Sequence, residues 1–308
     1  MRALLAAPIL AVALAGCGKA PAADDAAPQR DAAPPDAAET CVPLGTCDWL
    51  DAYQRTIVGT LAGVEDIAPG LRIEHRASVA ERDAARSYLL DQFAALGIAA
   101  VRHDYPGGAN VIATLPATAG TGGTILVGAH FDGVSAGPGA ADNATGVAIV
   151  LAVARYLRTV ATRNHPVTFA LFDQEELGLI GSKAYASELA AGGADLVAAH
   201  IFDMLSFDGD GDRAVELWSP SPELLPLYQE HGAVANMPIQ PVTFTRSDHQ
   251  AFLDHGFVAV GIGEEFESGD HTPHYHRATD TYDRVQFDHT AAVTHLAFTV
   301  IAASVASP

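Results

Sequence analysis

Residues 124–146 read TILVGAHFDGVSAGPGAADNATG. Thr124, Ile125, Leu126 and Val127 form a short β-branched, apolar run, the composition of a strand buried on both faces of a parallel sheet. The run passes into Gly128-Ala129-His130-Phe131-Asp132, placing an imidazole and a carboxylate where the strand should end. A glycine-rich loop follows, and Asp142-Asn143 then stand just before a helical pattern. In open α/β sheets ligands bind outside the carboxyl ends of the strands. A histidine with spaced aspartates at that edge points to a metal site. A polar loop with Asp142 or Asn143 as a helix N-cap explains the same residues without one.

Outward from this stretch, the rest of the chain sets limits. Its 308 residues, 49% hydrophobic, suffice for one sizeable core. A net charge of −20 argues against nucleic-acid binding, which needs clustered Lys and Arg. Residues 1–17 read as an export signal: Arg2 precedes an apolar run too short to span a bilayer. The run ends Leu14-Ala15-Gly16-Cys17, which resembles the lipobox of bacterial lipoproteins, where the cysteine carries lipid. The expectation is a chain exported to the bacterial cell envelope and held to the membrane through Cys17; ordinary cleavage after Ala15 is the rival. Residues 18–47, rich in Ala, Pro and Asp, bury too little apolar surface to order and are expected to be a tether. Cys41 and Cys47 near its end remain as an even pair for a disulfide.

The folded domain is expected over 48–308. Trp49, Tyr53, Ile57 and Leu61 have helical spacing over 48–65, and a second helix over 79–96 stops at Gly97. Residues 98–105 and 110–115 read as two strands joined by a Pro-Gly-Gly turn, an antiparallel edge. Further strands are expected at 167–172, 196–202, 214–218 and 257–262, with helices at 143–159, 178–189, 222–234, 247–255 and 287–306. This alternation predicts an α/β fold: a doubly wound, largely parallel sheet with helices on both faces, in a single domain.

Three strands end in acids or histidine at one edge. The strand 167–172 runs into Asp173-Gln174-Glu175-Glu176, 196–202 runs into Asp203, and the central strand supplies His130 and Asp132. Four carboxylates in one cleft repel by roughly 3 kcal/mol per pair about 5 Å apart at an effective dielectric near 20. Two divalent cations would offset Asp142, Glu175, Glu176 and Asp203, with His130 and a second histidine as neutral ligands.

These motifs resemble those of metallopeptidase family 28, the co-catalytic dizinc aminopeptidases. The resemblance rests on Gly128 to Asp132, Gly139 to Gly146, Glu175 to Ser182, Asp203-Met204, Ser247-Asp248-His249, and Tyr275-His276 with Asp280-Thr281 following. It covers about Asp48 to the C-terminus. It implies a zinc exopeptidase-like fold, two zinc ions per chain and peptide substrates. Asp142 would bridge the two ions, His130 and Asp203 would complete one site, and Glu176 and His276 the other. Glu175 is similar to the family's general base, and Asp132 would hold the other ring nitrogen of His130. His271 and His274 compete with His276, which alone has the Asp-Thr pair at the family's offset. The family also implies a cis peptide at Asp142–Asn143.

The function implied is removal of N-terminal residues from peptides. A glutaminyl cyclase or a carboxypeptidase on the same scaffold, the latter with Arg246 holding a substrate carboxylate, and a non-catalytic surface-binding lipoprotein are the alternatives. Asp208-Gly209-Asp210-Gly211-Asp212 has a calcium-loop spacing, but Arg213 replaces the required glycine, so a turn is the better reading.

Overall fold

The computed structural model describes residues 41–120 and 122–307; the signal and lipobox, and the tether up to residue 40, lie outside the described residues. Residues 41–47, assigned above to the tether, form an ordered loop closed by the Cys41–Cys47 disulfide. His295 Nδ1 and the Pro43 carbonyl, 2.7 Å apart, hold that loop to the C-terminal helix.

Two helices precede the sheet, α1 (Leu50–Leu61) and α2 (Val79–Ala95). Ser78 caps α2 by accepting the Glu81 N–H, while the Glu81 carboxylate reaches back to Ser78 and to the N–H groups of Glu74 and His75. This reciprocal cap fixes the path of the chain just after Arg76. The strands are β1 (Ala99–Tyr105), β2 (Gly108–Leu115), β3 (Thr124–His130), β4 (Val167–Phe172), β5 (Leu196–Phe202), β6 (Val215–Trp218), β7 (Ile239–Val242) and β8 (Ala259–Gly263). The remaining helices are α3 (Thr145–Leu157), α4 (Ile180–Ala191), α5 (Leu225–Ala235), α6 (His249–Leu253) and α7 (Phe287–Ala306).

The eight strands make one sheet in the order β1-β2-β4-β3-β5-β8-β6-β7. The central four, β4, β3, β5 and β8, are mutually parallel. The flanks are mixed: β1 and β2 form the expected antiparallel edge, β2 is antiparallel to β4, and β6 is antiparallel to β8 but parallel to β7. The β7 strand was not anticipated.

Alternation along the strands divides the core. Val111, Ala113, Val127, Phe169, Leu171 and Phe202 pack with residues of α1, α2, α3, α5 and α7. Ile112, Leu126, Ala170, Phe172, Ala199 and Ile201 pack instead with α4 and α6. Helices therefore cover both faces, and the C-terminal edge of the four parallel strands stays open for chemistry.

Candidate metal centre

Each central strand delivers polar groups to this edge. His130 is the last residue of β3, paired with Phe172 at the end of β4, and Asp203 directly follows β5. Asp142 sits in the turn 140–144, where its own and Asn143's backbone angles are non-helical and the peptide joining them is cis, as the resemblance implied. The helix therefore begins at Thr145, two residues after the expected start.

Asp142 lies between the two histidines. Its Oδ1 is 3.2 Å from His130 Nε2, and its Oδ2 is 3.2 Å from His276 Nε2. His130 Nε2 is also 3.3 Å from Asp203 Oδ1, and His276 Nε2 is 2.9 Å from Glu176 Oε2. Two donor sets result, His130–Asp142–Asp203 and Asp142–Glu176–His276, sharing Asp142. Glu175 approaches the same centre with His130 and Glu176. His271 stacks on Phe266, and His274 Nδ1 faces the Thr279 hydroxyl at 2.9 Å; neither belongs to a donor set among the described residues.

Burial first, and neighbouring charges second, shift most of these groups. Burial, reinforced by Asp142, pushes Glu176 up to about 7 despite its contact with His276. Burial likewise raises Glu175 well above the usual carboxylate range; His130 opposes this, while Asp248, Asp203 and Glu176 add to it. His276 is raised to about 10 by its contacts with Asp142 and Glu176. Burial works against charge on His130, but Asp203, Glu175, Asp132 and Asp142 together raise it. Glu176 Oε1 is buried without a hydrogen-bond partner. Two imidazoles, three carboxylates in the donor sets and an unused buried carboxylate oxygen suit borderline divalent cations such as zinc.

A supporting shell, mostly invisible in the sequence, holds these donors. Asp132 faces His130 Nδ1 at 3.4 Å, longer than a normal hydrogen bond, while its two oxygens accept the N–H groups of Glu175 and Glu176 at 3.0 and 3.2 Å. It therefore sets the backbone of the paired glutamates as well as facing the histidine. Ser247, fully buried, donates to Asp203 Oδ2 at 2.7 Å. Asp280 accepts the N–H groups of Ala141 and Asp142. Arg76, fully buried, donates to the carbonyls of Leu61, Phe131, Pro138 and Gly139 at 2.6–2.8 Å. Gly139 has φ +67, and a Cβ there would overlap the Asp142 carbonyl, so this clamp needs glycine. Asp173 stays out of the centre as the buried partner of Arg82 and Arg86. Non-glycine residues in the left-handed region include Gln174, Met204 and His276, each beside or within the centre.

The cleft above the donors is lined by Met204, Trp218, Phe244, Phe266 and Tyr275, with Arg246 at its side. The 208–212 loop spends carboxylates on its own backbone, Asp208 accepting from Gly211 and Arg213, which agrees with a turn. The fold brings Asp270 and Glu265 beside it.

Comparison with known proteins decides the family. The sequence profile of Peptidase family M28 matches residues 110–301, more than half of the chain. The chain belongs to peptidase family M28. It is 32% identical over 207 residues to the probable lipoprotein aminopeptidase LpqL of Mycobacterium tuberculosis, covering 57% of this chain and 41% of that protein. It is 33% identical over 150 residues to the probable leucine aminopeptidase 2 of Aspergillus fumigatus, covering 45% and 30%. The M28 chain thus spans well under half the length of these relatives. Its fold is similar to LapB from Legionella pneumophila, with TM-score 0.73 at 20% identity over 83% of this chain and 72% of that one. It is also similar to the glutaminyl cyclase of Fimbriiglobus ruber, with TM-score 0.67 at 21% identity over 84% and 96%.

Proposed function

We propose that this M28 chain is a zinc-dependent exopeptidase, an aminopeptidase that removes N-terminal residues from peptides. The observation that carries the reading is Asp142, whose two carboxylate oxygens face two histidines, each with a further acid. His130, Asp142 and Asp203 would hold one zinc ion, and Asp142, Glu176 and His276 a second. The bound ions would supply Lewis acidity to the peptide carbonyl and bring water into ionisation near neutral pH.

The protein groups divide the rest of the work. Glu175 stands at the same centre as His130 and Glu176, which places its carboxylate to take a proton from water and return it to the leaving amine. Glu176, its neighbour, has a histidine to hold and cannot serve both ends. Asp132 fixes both glutamates through their backbone. Burial and the carboxylates around Tyr275 keep its phenol protonated, a hydrogen-bond donor lining the cleft. The apolar walls, Met204, Trp218, Phe244 and Phe266, suit an apolar N-terminal side chain.

The test is hydrolysis of a panel of aminoacyl-arylamides by zinc-loaded protein, with and without chelator. Chelator-sensitive release of the arylamine is expected. Cyclisation of N-terminal glutamine without hydrolysis would transfer the chain to the glutaminyl cyclase reading.

Localisation belongs to the same proposal. The lipobox at Leu14-Ala15-Gly16-Cys17 and the lipoprotein name of the mycobacterial relative support a bacterial envelope enzyme anchored through Cys17. Cys17→Ser should move it from the membrane to the soluble fraction; unchanged fractionation would remove the anchor.

A further inference from the structure

The charge balance of the cleft points to a feature of the substrate. The charged residues lining it are Asp142, Glu175, Glu176 and Asp203, the two histidines, and Arg246. Arg246 is thus the one permanently cationic side chain among the described residues that line it. Its position is fixed from two sides. The next residue, Ser247, is buried and bonded to the candidate ligand Asp203. The guanidinium lies over the rings of Phe244 and Phe266, 4.8 and 5.2 Å from their centroids, and both rings line the cleft. Its acidic neighbour is a weak competitor: Glu267 Oε1 is 3.7 Å away, and both side chains are substantially exposed, 63% and 47%.

We propose that Arg246 recognises the free C-terminal carboxylate of a short peptide, so that the preferred substrates are dipeptides. This rests on the exopeptidase reading and names its substrate class. One extended residue spans about 3.5 Å, so a dipeptide presents its carboxylate one residue beyond the bond to be cut. A cation one residue along the chain from Ser247, whose hydroxyl holds the candidate ligand Asp203, is placed for that group. The planar guanidinium can take a carboxylate through two parallel hydrogen bonds, and its aromatic supports reduce the freedom lost on binding. An acidic N-terminal side chain is the rival occupant, disfavoured by the apolar walls.

The experiment compares zinc-loaded wild type, Arg246→Gln and Arg246→Glu on Leu-Ala, Leu-Ala-amide, Glu-Ala-amide and N-acetyl-Leu-Ala. In wild type kcat/KM should favour Leu-Ala over its amide by about tenfold or more, mainly through KM, the scale of one charge-assisted interaction. That ratio should fall to about one in Arg246→Gln and invert in Arg246→Glu. An Arg246 that only packs on the two phenylalanines would shift both substrates together and leave the ratio intact. A wild-type ratio near one, a ratio surviving in Arg246→Gln, or Arg246-dependent preference for Glu-Ala-amide overturns the proposal. Arg246-dependent cleavage of N-acetyl-Leu-Ala would keep carboxylate recognition while overturning the aminopeptidase reading. Hydrolysis of none of the four overturns both.

Discussion

Asp280 accepts the N–H of Asp142 at 3.1 Å, and of Ala141 at 2.7 Å, from the far end of the domain's sequence. The residue that faces both histidines is thus held at its backbone by a second carboxylate, leaving its own oxygens for the centre. Burial raises Asp280 to about 6 even so, with the two N–H groups and Arg76 opposing that rise. Asp280→Asn keeps the shape but weakens the acceptor. Zinc affinity, measured by chelator competition, should fall by about 10–100-fold, the usual effect of losing a group that orients a ligand. Unchanged affinity would make Asp280 a bystander.

The paired glutamates should fail differently. Glu175→Gln should retain zinc and fold while kcat drops by about 10²–10⁴, the contribution of a positioned base. Glu176→Gln should bind one zinc ion weakly, and excess zinc should restore part of the activity. Metal content and kcat measured together decide the assignment; zinc loss in Glu175→Gln alone means the roles are exchanged.

Arg76→Met tests the clamp on the loop from Phe131 to Asp142. It leaves three buried carbonyls and the part-buried Pro138 carbonyl short of a donor, each buried one worth about 1–3 kcal/mol if unmet. Urea unfolding of the zinc-free protein should show a loss of at least about 3 kcal/mol. A loss below about 1 kcal/mol would show that the loop holds itself.

His200 provides a pH test away from the centre. It is fully buried, its Nδ1 meets the Tyr228 hydroxyl at 3.0 Å, and burial lowers its pKa to about 3. An unfolded histidine titrates near 6.5. Between those values the unfolded chain binds the extra proton, so this contribution is full above about pH 6.5 and is lost as pH falls toward 3. In His200→Gln the decline of the urea midpoint between pH 6.5 and 4 should be shallower than in wild type. Equal slopes would assign the acid limb to other groups.

The sequence reveals some parts of this molecule more readily than others. Strands β4 and β5 and helix α7 fall where expected, because long apolar runs report burial directly. Strand β7 is four residues, half-exposed and interrupted by Pro241, so neither period nor composition marks it. The direction of β6 against β8 depends on the path of a connection rather than on any local pattern. The five proposed ligands carry a signature in their neighbours. Arg76 carries none: it is an isolated arginine in a polar loop, and only the fold shows the carbonyls around it. Ser247 and Asp280 lay inside recognised motifs, but nothing in the spacing said which backbone or side chain each would hold.

The donors come from the ends of β3, β4 and β5 and from the segments before α3 and before α7. No fragment ending before Glu176 contains a complete donor set among the described residues. The donors are thus gathered by the tertiary fold from segments far apart in sequence, unlike the closely spaced ligands of a zinc finger.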